Sequence, residues 1–154
     1  MVDAIKAANS STKDERRVLV PADLTFTMMP VVASNIKNVT IQIDGVLQAS
    51  KNYKQWPTTQ GEVTEVHHFL EFEDVEDLVV EGKGTVDGQG YMWWVRSYME
   101  KNKHGVPSLL HVTRGQRVEI YGLKFHNSPS IHLNMKDVDT LHIHDLEVYV
   151  NYKG

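Results

Sequence analysis

The sequence contains no cysteine, which excludes disulfide cross-links and thiolate metal sites. Basic residues are also scarce, with 16 Lys and Arg against 20 Asp and Glu, and the net charge of −4 argues against a nucleic-acid partner, which usually requires clustered basic residues. No apolar run is long enough to span a membrane, and residues 1–11 lack the apolar segment of a signal peptide. What remains is the composition of one globular domain with a hydrophobic core, 41% apolar and 23% charged.

A repeated pattern of apolar residues dominates the sequence. Residues 110–145 contain two consecutive copies whose equivalent positions lie 23 residues apart, as do Leu110 and Leu133. The same pattern fits two upstream stretches, one beginning at Leu70, 40 residues before Leu110, and one at Val31, a further 39 residues before. Because repeats of roughly 20 to 50 residues are typical of solenoids, we expect stacked units that bury their apolar sides against each other.

The alternation within each copy predicts strands. Leu110 and Val112, then Val118 and Ile120, alternate with polar residues, which is the pattern of a strand with one buried face. A coil of 23 residues with three short strands has the size of one turn of a parallel β-helix, so we expect an all-β fold of about four to five coils. The leucine-rich repeat has a similar period, but no copy shows its leucine series. The expected bends carry residues that tolerate left-handed backbone: Asn35, Asn38, Asp74, Asp77, Arg114-Gly115, Asp137 and Asp139.

The two ends and the spacers can also be assigned from the sequence. Val2, Ile5 and Ala8 have helical spacing, so residues 1–12 are predicted to form a short helix that caps the first coil. Residues 17–154 then form the coils, and residues 1–154 are one partial β-helix domain. The longer intervals of 39 and 40 residues imply insertions, and we expect surface loops at residues 51–61 and 87–107.

Several segments, taken in order, resemble the polygalacturonase family of glycoside hydrolases. They are GKGTVDGQG at residues 82–90 followed by Trp93-Trp94, PSLL at 107–110, GL at 122–123 and NSP at 127–129, with VP at 20–21 and IDGVL at 43–47 upstream. The resemblance covers nearly the whole chain. It implies a right-handed parallel β-helix of the pectin-lyase-like type, hydrolysis of pectic polysaccharide in a cleft along one sheet, and an extracellular location, with no signal peptide in this chain.

The catalytic signature of that family is absent. It comprises an Asn-Thr-Asp-Gly segment, an Asp-Asp pair, a Gly-His-Gly and an Arg-x-Lys, and none occurs here. Asn127 to Pro129 match the phase of the Asn-Thr-Asp-Gly strand one coil earlier, and adding 23 to 127 reaches residue 150, close to the end at Gly154. We therefore expect the N-terminal portion of a polygalacturonase-like inverting hydrolase with its catalytic aspartates downstream, and no catalytic residue in this chain, which alone is inactive. The alternative is a catalytically empty β-helix that serves as a carbohydrate-binding or structural module.

The candidate substrate-binding residues are His111, His132, Asn134 and Lys136. Strand parity directs His132, Asn134 and Lys136 outward on the sheet that carries the cleft in the family, with His111 and Thr113 on the preceding coil. A polyanionic sugar chain requires cationic and hydrogen-bonding partners, so we predict pectic polysaccharide as the partner of this strip. A plain exposed strand face is the alternative. No cofactor or metal is expected.

The remaining polar and aromatic candidates have structural explanations. Asp44 and Asp87 precede glycines and are expected to cap turns, while His67 and His68 are expected to be ordinary surface residues. Trp93 and Trp94 are expected to anchor a loop rather than to stack on sugar rings. The acids between Glu71 and Asp77 are expected to form a solvated face rather than a cation site. His142 and His144, beside Glu119 and Tyr121, are expected to be outer-face residues rather than metal ligands.

The last coil is expected to mediate self-association. A solenoid whose final coil has no cap leaves unpaired strand edges and an open apolar cross-section. We therefore predict that the chain associates with itself through this end.

Overall fold

A computed structural model describes residues 1–151 of the 154. Strands account for most of the regular structure, and no helix within this range is long and apolar enough to cross a membrane. The expected domain extends to residue 154, so its end lies outside the described residues. The segment that is expected to approach the catalytic signature also ends there. The elements are α1 (Val2–Asn9), β1 (Arg17–Val20), β2 (Thr25–Met28), β3 (Val31–Ile43), β4 (Val46–Ala49), β5 (Leu70–Glu81), β6 (Thr85–Asp87), α2 (Tyr91–Tyr98), β7 (Leu110–Tyr121), β8 (Lys124–His126), β9 (Leu133–His144) and β10 (Glu147–Tyr149).

The strands form two parallel sheets that rise together as a right-handed parallel β-helix. One sheet has the order β1-β3-β5-β7-β9 and the other the order β2-β4-β6-β8-β10, so each sheet receives one strand from every coil. Every pair in both sheets is parallel. The five strands of each sheet correspond to an incomplete first coil followed by four full ones, as the repeats predict.

The strand register follows the sequence repeat residue by residue. Val31 pairs with Leu70, Leu70 with Leu110, and Leu110 with Leu133, which reproduces the three predicted intervals. One column of apolar residues within this register consists of Val39, Leu78, Val118 and Leu141. A second column consists of Ile41, Val80, Ile120 and Ile143, and Ile143 is 41% exposed because no further described coil covers it.

Each long strand of the first sheet bends at two residues with left-handed backbone. At the first bend, the φ angles of Asn35, Asp74, Arg114 and Asp137 are 55°, 55°, 54° and 53°. The second bend repeats this at Asn38, Asp77, Arg117 and Thr140. The sequence locates most of the bends. At the expected Arg114-Gly115 bend it is Arg114 that is left-handed, Thr140 takes the place of the expected Asp139, and the bend at Arg117 was not predicted. Three short strands per coil are present, but the first two join into one bent element.

Helix α1 closes the first coil, as predicted. Its apolar face buries Ile5 and Ala8 in the core. Strand β1 pairs only with the second half of β3, from Thr40 onward, which leaves the first half of β3 at the edge of the sheet. Asn9, at the end of α1, satisfies part of that edge, since its side chain accepts a hydrogen bond from the Lys37 amide (2.8 Å) and donates one to the Asn35 carbonyl (3.0 Å).

The two insertions are more ordered than the sequence suggests. Residues 51–61 contain a short 3-10 helix, Tyr53–Gln55, and residues 87–107 contain α2, whereas surface loops were expected. The tryptophans anchor them, as predicted: Trp93 is buried and packs edge to face on Trp56, with ring centroids 5.5 Å apart. The Trp94 indole donates a hydrogen bond to the Ser128 carbonyl (3.0 Å). Helix α2 projects from the coils and leaves the pairing of β5 with β7 intact.

The last described coil presents the open end of the solenoid. Strands β9 and β10 are the terminal strands of their sheets within residues 1–151. Their apolar side chains are only partly covered: Val148 is 53% and Tyr149 50% exposed. Because unpaired edges and uncovered apolar surface favour association, the chain is predicted to form dimers or larger species. Sedimentation velocity should show the mean mass rising with concentration, and a monomer at every concentration would contradict this.

Candidate substrate-binding site

The structure brings three of the four candidate residues together on the first sheet. His111 on β7 is paired with Asn134 on β9, and Thr113 is paired with Lys136. The Thr113 hydroxyl hydrogen-bonds the His111 Nε2 atom at 2.7 Å, and the Asn134 amide donates to the Ser108 hydroxyl at 3.3 Å. Lys136 is exposed. These side chains form a continuous polar strip across the last two coils.

His132 lies apart from this strip. It precedes β9, is half-buried, and its Nε2 atom accepts a hydrogen bond from the Ser128 amide (3.4 Å). Ser128 is buried, and its hydroxyl donates to the Ile131 carbonyl (2.8 Å), so His132 belongs to a tight turn at the edge of the sheet. A backbone hydrogen bond at Tyr149 also engages the ring, so His132 is held by contacts within the chain.

His68 joins the site from a position where the sequence suggests only an ordinary surface residue. Its ring packs against His111, with centroids 4.2 Å apart, and its Nδ1 atom accepts a hydrogen bond from the Ser108 amide (2.8 Å). The 40-residue interval between coils, which relates Leu70 to Leu110, also relates His68 to Ser108, so the repeat itself contains this signal. His67, next to it, contacts Glu71 through Nδ1 at 3.1 Å.

The histidines of the site contribute hydrogen bonding rather than positive charge at neutral pH. Burial, and to a smaller extent the neighbouring His111, lower the pKa of His68 to about 4. Burial likewise lowers the pKa of His111 and of His132 below the ordinary value. With its histidines neutral, the strip has one cation, Lys136. On the adjoining coil, two carboxylates border the strip, because Glu71 pairs with His111 and Glu73 with Thr113. The strip is therefore less cationic than its sequence suggests.

Four of the five acids from Glu71 to Asp77 face arginines of the following coil, and the fifth, Glu71, contacts His67. Arg114 contacts Glu73 and binds Asp74 at 2.7 Å, while Arg117 binds Glu76 at 2.7 Å and Asp77 at 2.6 Å. Hydrogen bonds from these arginines hold the pKa of Asp74 and of Asp77 below the ordinary value. At each of the two bends one arginine pairs with two carboxylates, so these ion pairs join two coils where the backbone is left-handed. The cluster is exposed and paired, and a cation site is not needed to explain it.

Asp44 and Asp87 have turn-forming partners, as predicted. Asp44 accepts hydrogen bonds from the Gln42 side chain (2.6 Å) and the Lys83 amide (3.2 Å). Asp87 accepts from the Gln89 amide (3.0 Å) and from the Asn127 side chain (3.3 Å). Each carboxylate therefore links its own turn to the next coil, which is a structural role.

The outer-face histidines near the end of β9 are arranged differently from the hypothetical metal site. Tyr121 stacks on His144, with centroids 4.9 Å apart, as the register predicts. Glu119, paired with His142 in the ladder, instead contacts His144 at 3.2 Å, and Asp145 contacts the other ring nitrogen at 2.8 Å. These two carboxylates raise the pKa of His144, Asp145 having the larger effect. Within residues 1–151, no group of three or more His, Asp or Glu side chains is placed to hold a metal ion.

The adjacent His68 and His111 rings are predicted to weaken the fold in acid. The pKa of His68 in the folded state is about 4, below its ordinary value of 6.5, so the folded chain binds fewer protons than the unfolded chain in this interval. The contribution is therefore complete above pH ~6.5 and is lost as the pH falls towards 4. After discounting for partial exposure, we expect a loss of about 1 to 2 kcal/mol in the free energy of unfolding.

Urea denaturation at several pH values measures this effect. His68→Asn keeps an acceptor for the Ser108 amide and removes the titrating ring, so its stability should fall less between pH 7 and 4.5. His142→Asn, on the exposed strand face, is the matched control and should retain the pH dependence of the unchanged chain. An unchanged dependence in His68→Asn would contradict the assignment.

The chain belongs to the class of right-handed parallel β-helix proteins, because every coil adds one strand to each of two parallel sheets. Its insertions lie beside a polar strip on one of these sheets. The family within that class follows from the sequence as a whole. The family model described as glycosyl hydrolases family 28 matches residues 10–153, and the chain belongs to this family. The resemblance to polygalacturonases is thereby confirmed.

The named relatives include two kinds of hydrolase. A probable endo-xylogalacturonan hydrolase A of Aspergillus oryzae is 28% identical over 139 residues, covering 88% of this chain and 32% of the relative. A probable polygalacturonase of Arabidopsis thaliana is 30% identical over 151 residues, covering 95% of this chain and 33% of the relative. The chain thus spans about a third of the length of these curated relatives.

Solved structures share the fold. A polygalacturonase from Erwinia carotovora ssp. carotovora superposes with a TM-score of 0.78 at 19% identity, covering 97% of this chain and 45% of that one. The endo-xylogalacturonan hydrolase from Aspergillus tubingensis gives a TM-score of 0.75 at 21% identity, covering 90% of this chain and 36% of that one. The β-helix architecture expected from the repeats is therefore confirmed.

Proposed function

We propose that this chain forms the N-terminal coils of a glycoside hydrolase that cleaves pectic polysaccharide, with the catalytic aspartates on coils beyond residue 154. The observation that carries the proposal is the match of the family across residues 10–153. The printed names of the relatives, endo-xylogalacturonan hydrolase and polygalacturonase, supply the substrate class. Such polymers belong to the cell wall, so the enzyme would act outside the cell.

Inverting hydrolysis is the proposed mechanism. It requires two carboxyl groups about 6.5 to 9.5 Å apart, one to protonate the leaving oxygen and one to activate water. Adjacent coils of a β-helix lie about 4.8 Å apart, so aspartates at equivalent points of neighbouring coils satisfy that distance once the side chains are included. Within this chain, the strip of His111, Asn134 and Lys136 would hold sugar units on the approach to those coils.

The strip suits a sugar chain because it offers several hydrogen-bonding groups beside one positive charge. Lys136 attracts a uronate carboxylate, and Asn134 and the neutral His111 can bond to hydroxyl groups. His132, whose ring bonds within the chain, would contact the sugar chain with the exposed part of its ring at the edge of the same sheet. The strip thus provides binding and orientation, and no proton transfer at the scissile bond is assigned to it.

A second candidate function is a β-helix without catalysis that binds carbohydrate or acts as a structural module. It is favoured by the carboxylates among residues 1–151, because those in the turns and at the bends already have hydrogen-bonding or ionic partners. An assay of the complete gene product with polygalacturonate distinguishes the two functions. Hydrolysis of polygalacturonate by that product supports the first, and binding without hydrolysis supports the second.

Lys136→Ala is predicted to weaken binding of an oligogalacturonate to this chain. A charge-assisted hydrogen bond contributes about 1.5 to 3 kcal/mol, so the dissociation constant should rise by on the order of tenfold or more. Lys6→Ala, an exposed lysine on α1, removes the same charge far from the strip and is the control. Isothermal titration calorimetry measures both, and equal affinities for the two variants would remove Lys136 from the site.

A further inference from the structure

A cavity lies between the two insertions and is lined by residues other than those of the strip. It has a volume of about 460 Å³ and is lined by residues of the 3-10 helix region, of α2 and of the segment that follows α2. This volume lies within the range of about 300 to 1,000 Å³ that is typical of small-molecule sites. We call it the basic pocket, because its charged lining consists of Lys54, Arg96, Lys101 and Lys103.

The charge of the basic pocket is opposite to that of the chain. The protein has a net charge of −4, yet no Asp or Glu lines this cavity. Elsewhere the arginines Arg17, Arg114 and Arg117 are each paired with carboxylates. The four cations of the basic pocket form no ion pair with a carboxylate of residues 1–151, so their charge is free to act on a ligand. A concave site lined by one sign of charge concentrates ligands of the other sign.

Arg96 is held in position before any ligand arrives. Its guanidinium donates hydrogen bonds to the Asn102 side chain (3.0 Å) and to the Lys101 carbonyl (2.7 Å). The same group lies over the Tyr53 ring, 4.5 Å from the ring centroid. Since Asn102 also bonds the Trp93 carbonyl (3.2 Å), the arginine is tied to the buried end of α2. A fixed guanidinium loses little conformational freedom when it binds a carboxylate.

The basic pocket adjoins the strip through smaller cavities. A neighbouring cavity of about 290 Å³ shares Lys103 and Val66 with it and extends to His68. A third cavity of about 180 Å³ shares His68 and includes His111 and Thr113. That third cavity also contains Glu65, Glu71 and Glu73, which repel carboxylates. An acidic group on a bound sugar chain is therefore repelled by this third cavity and attracted to the basic pocket.

We propose that the basic pocket binds the carboxylate of an acidic sugar, such as a uronate unit on a chain or branch that extends from the strip. This inference rests on the proposed function for the substrate class but uses different residues. Arg96 offers the oriented donor, and Lys101, Lys103 and Lys54 supply charge around it. The aromatic walls, Tyr53, Trp56 and Trp93, provide the apolar surface that a sugar ring contacts.

Tryptophan fluorescence of the full 154-residue chain reports on this site selectively. All three tryptophans are near the cavity: Trp56 and Trp93 line it, and Trp94 follows on α2. We expect trigalacturonate to change the emission in a saturable way, and neutral galactotriose at the same concentration to leave it unchanged. Inorganic sulfate should compete only weakly, because it cannot contact the aromatic walls as a sugar does.

Variants separate this pocket from the strip. Lys101→Ala with Lys103→Ala should weaken trigalacturonate binding by on the order of tenfold or more. Lys83→Ala with Lys124→Ala removes the same charge from two exposed positions outside the pocket and should leave the fluorescence titration unchanged. Circular dichroism confirms that both double variants keep the fold.

Each contrary result has a distinct meaning. Equal responses to trigalacturonate and galactotriose, or equal affinities of the two double variants, would overturn the acidic-sugar site. Sulfate that saturates at the same concentration and displaces the sugar would reduce it to an inorganic-anion site and also overturn the proposal. Calorimetric binding that depends on Lys136 but not on Lys101 and Lys103 would leave the proposed function standing without this pocket. A fluorescence response that depends on Lys101 and Lys103 but not on Lys136 would support the basic pocket and remove Lys136 from the proposed sugar-binding strip.

Discussion

Gly82→Ala is expected to unfold the protein or to lower its free energy of unfolding by about 3 to 5 kcal/mol. Gly82 has a φ of +136°, a conformation that residues with a Cβ atom rarely adopt. A Cβ atom there would lie 2.0 Å from the carbonyl oxygen of Ile43 on the preceding coil. That oxygen already accepts a hydrogen bond from the Gly84 amide (2.9 Å), so Ile43 cannot move aside without breaking contact between coils.

Gly105→Ala is the matched control. Gly105 also has a positive φ, +83°, but a Cβ atom there would meet nothing within 4 Å. It should therefore show only backbone strain, on the order of 1 kcal/mol. Urea denaturation followed by circular dichroism gives both values, and their difference measures the close approach of two coils. Equal losses in the two variants would show that backbone conformation alone accounts for the effect.

The 154-residue chain is expected to release no measurable reducing ends from polygalacturonate, whereas a chain extended through the downstream coils is expected to release them. General acid and general base assistance each contribute about 10² to 10⁴ in rate, so a chain without either should stay at background. The exposed acids Asp74 and Asp77 are held ionised by arginines and cannot serve as general acids. A reducing-sugar assay on the two proteins makes the comparison.

Activity of the short chain would place chemistry on a residue that has a structural role here. Asp87→Asn tests this directly, since Asp87 precedes the insertion that carries α2 and bonds Asn127 on the next coil. Loss of the activity in that variant, with the fold retained, would identify Asp87 as a catalytic group. Inactivity of the extended chain, in contrast, would favour the binding or structural module.

The repeat determines how much of this structure can be predicted. The pairing of β3, β5, β7 and β9 follows from the sequence because an error of one residue would turn every apolar side chain outward. The helix α2 lies in an insertion with no repeat, so its local pattern is the only signal there. The sequence does not indicate the contact of His68 with His111, because the two residues are 43 positions apart and an insertion lies between them.

The charge state of the site was less predictable than its position. Strand parity correctly directs His111 and Asn134 to the same face. Burial, however, depends on what the insertions cover, and burial is what lowers the pKa of His68 and His111. Likewise, the grouping of Lys54 with Lys101 and Lys103 requires two insertions to meet in space, and no periodicity in the sequence indicates that meeting.

The closure of the first coil by α1 affects the order in which the protein can fold during synthesis. Each coil is paired only with its neighbours, so a coil gains its full contacts once the coil before it is in place. With Ile5 and Ala8 buried and Asn9 bonded to β3, the segment that precedes the coils provides a closed starting surface for them. Later coils can then be added one at a time, and at every stage the newest coil is the apolar surface most in need of protection from aggregation.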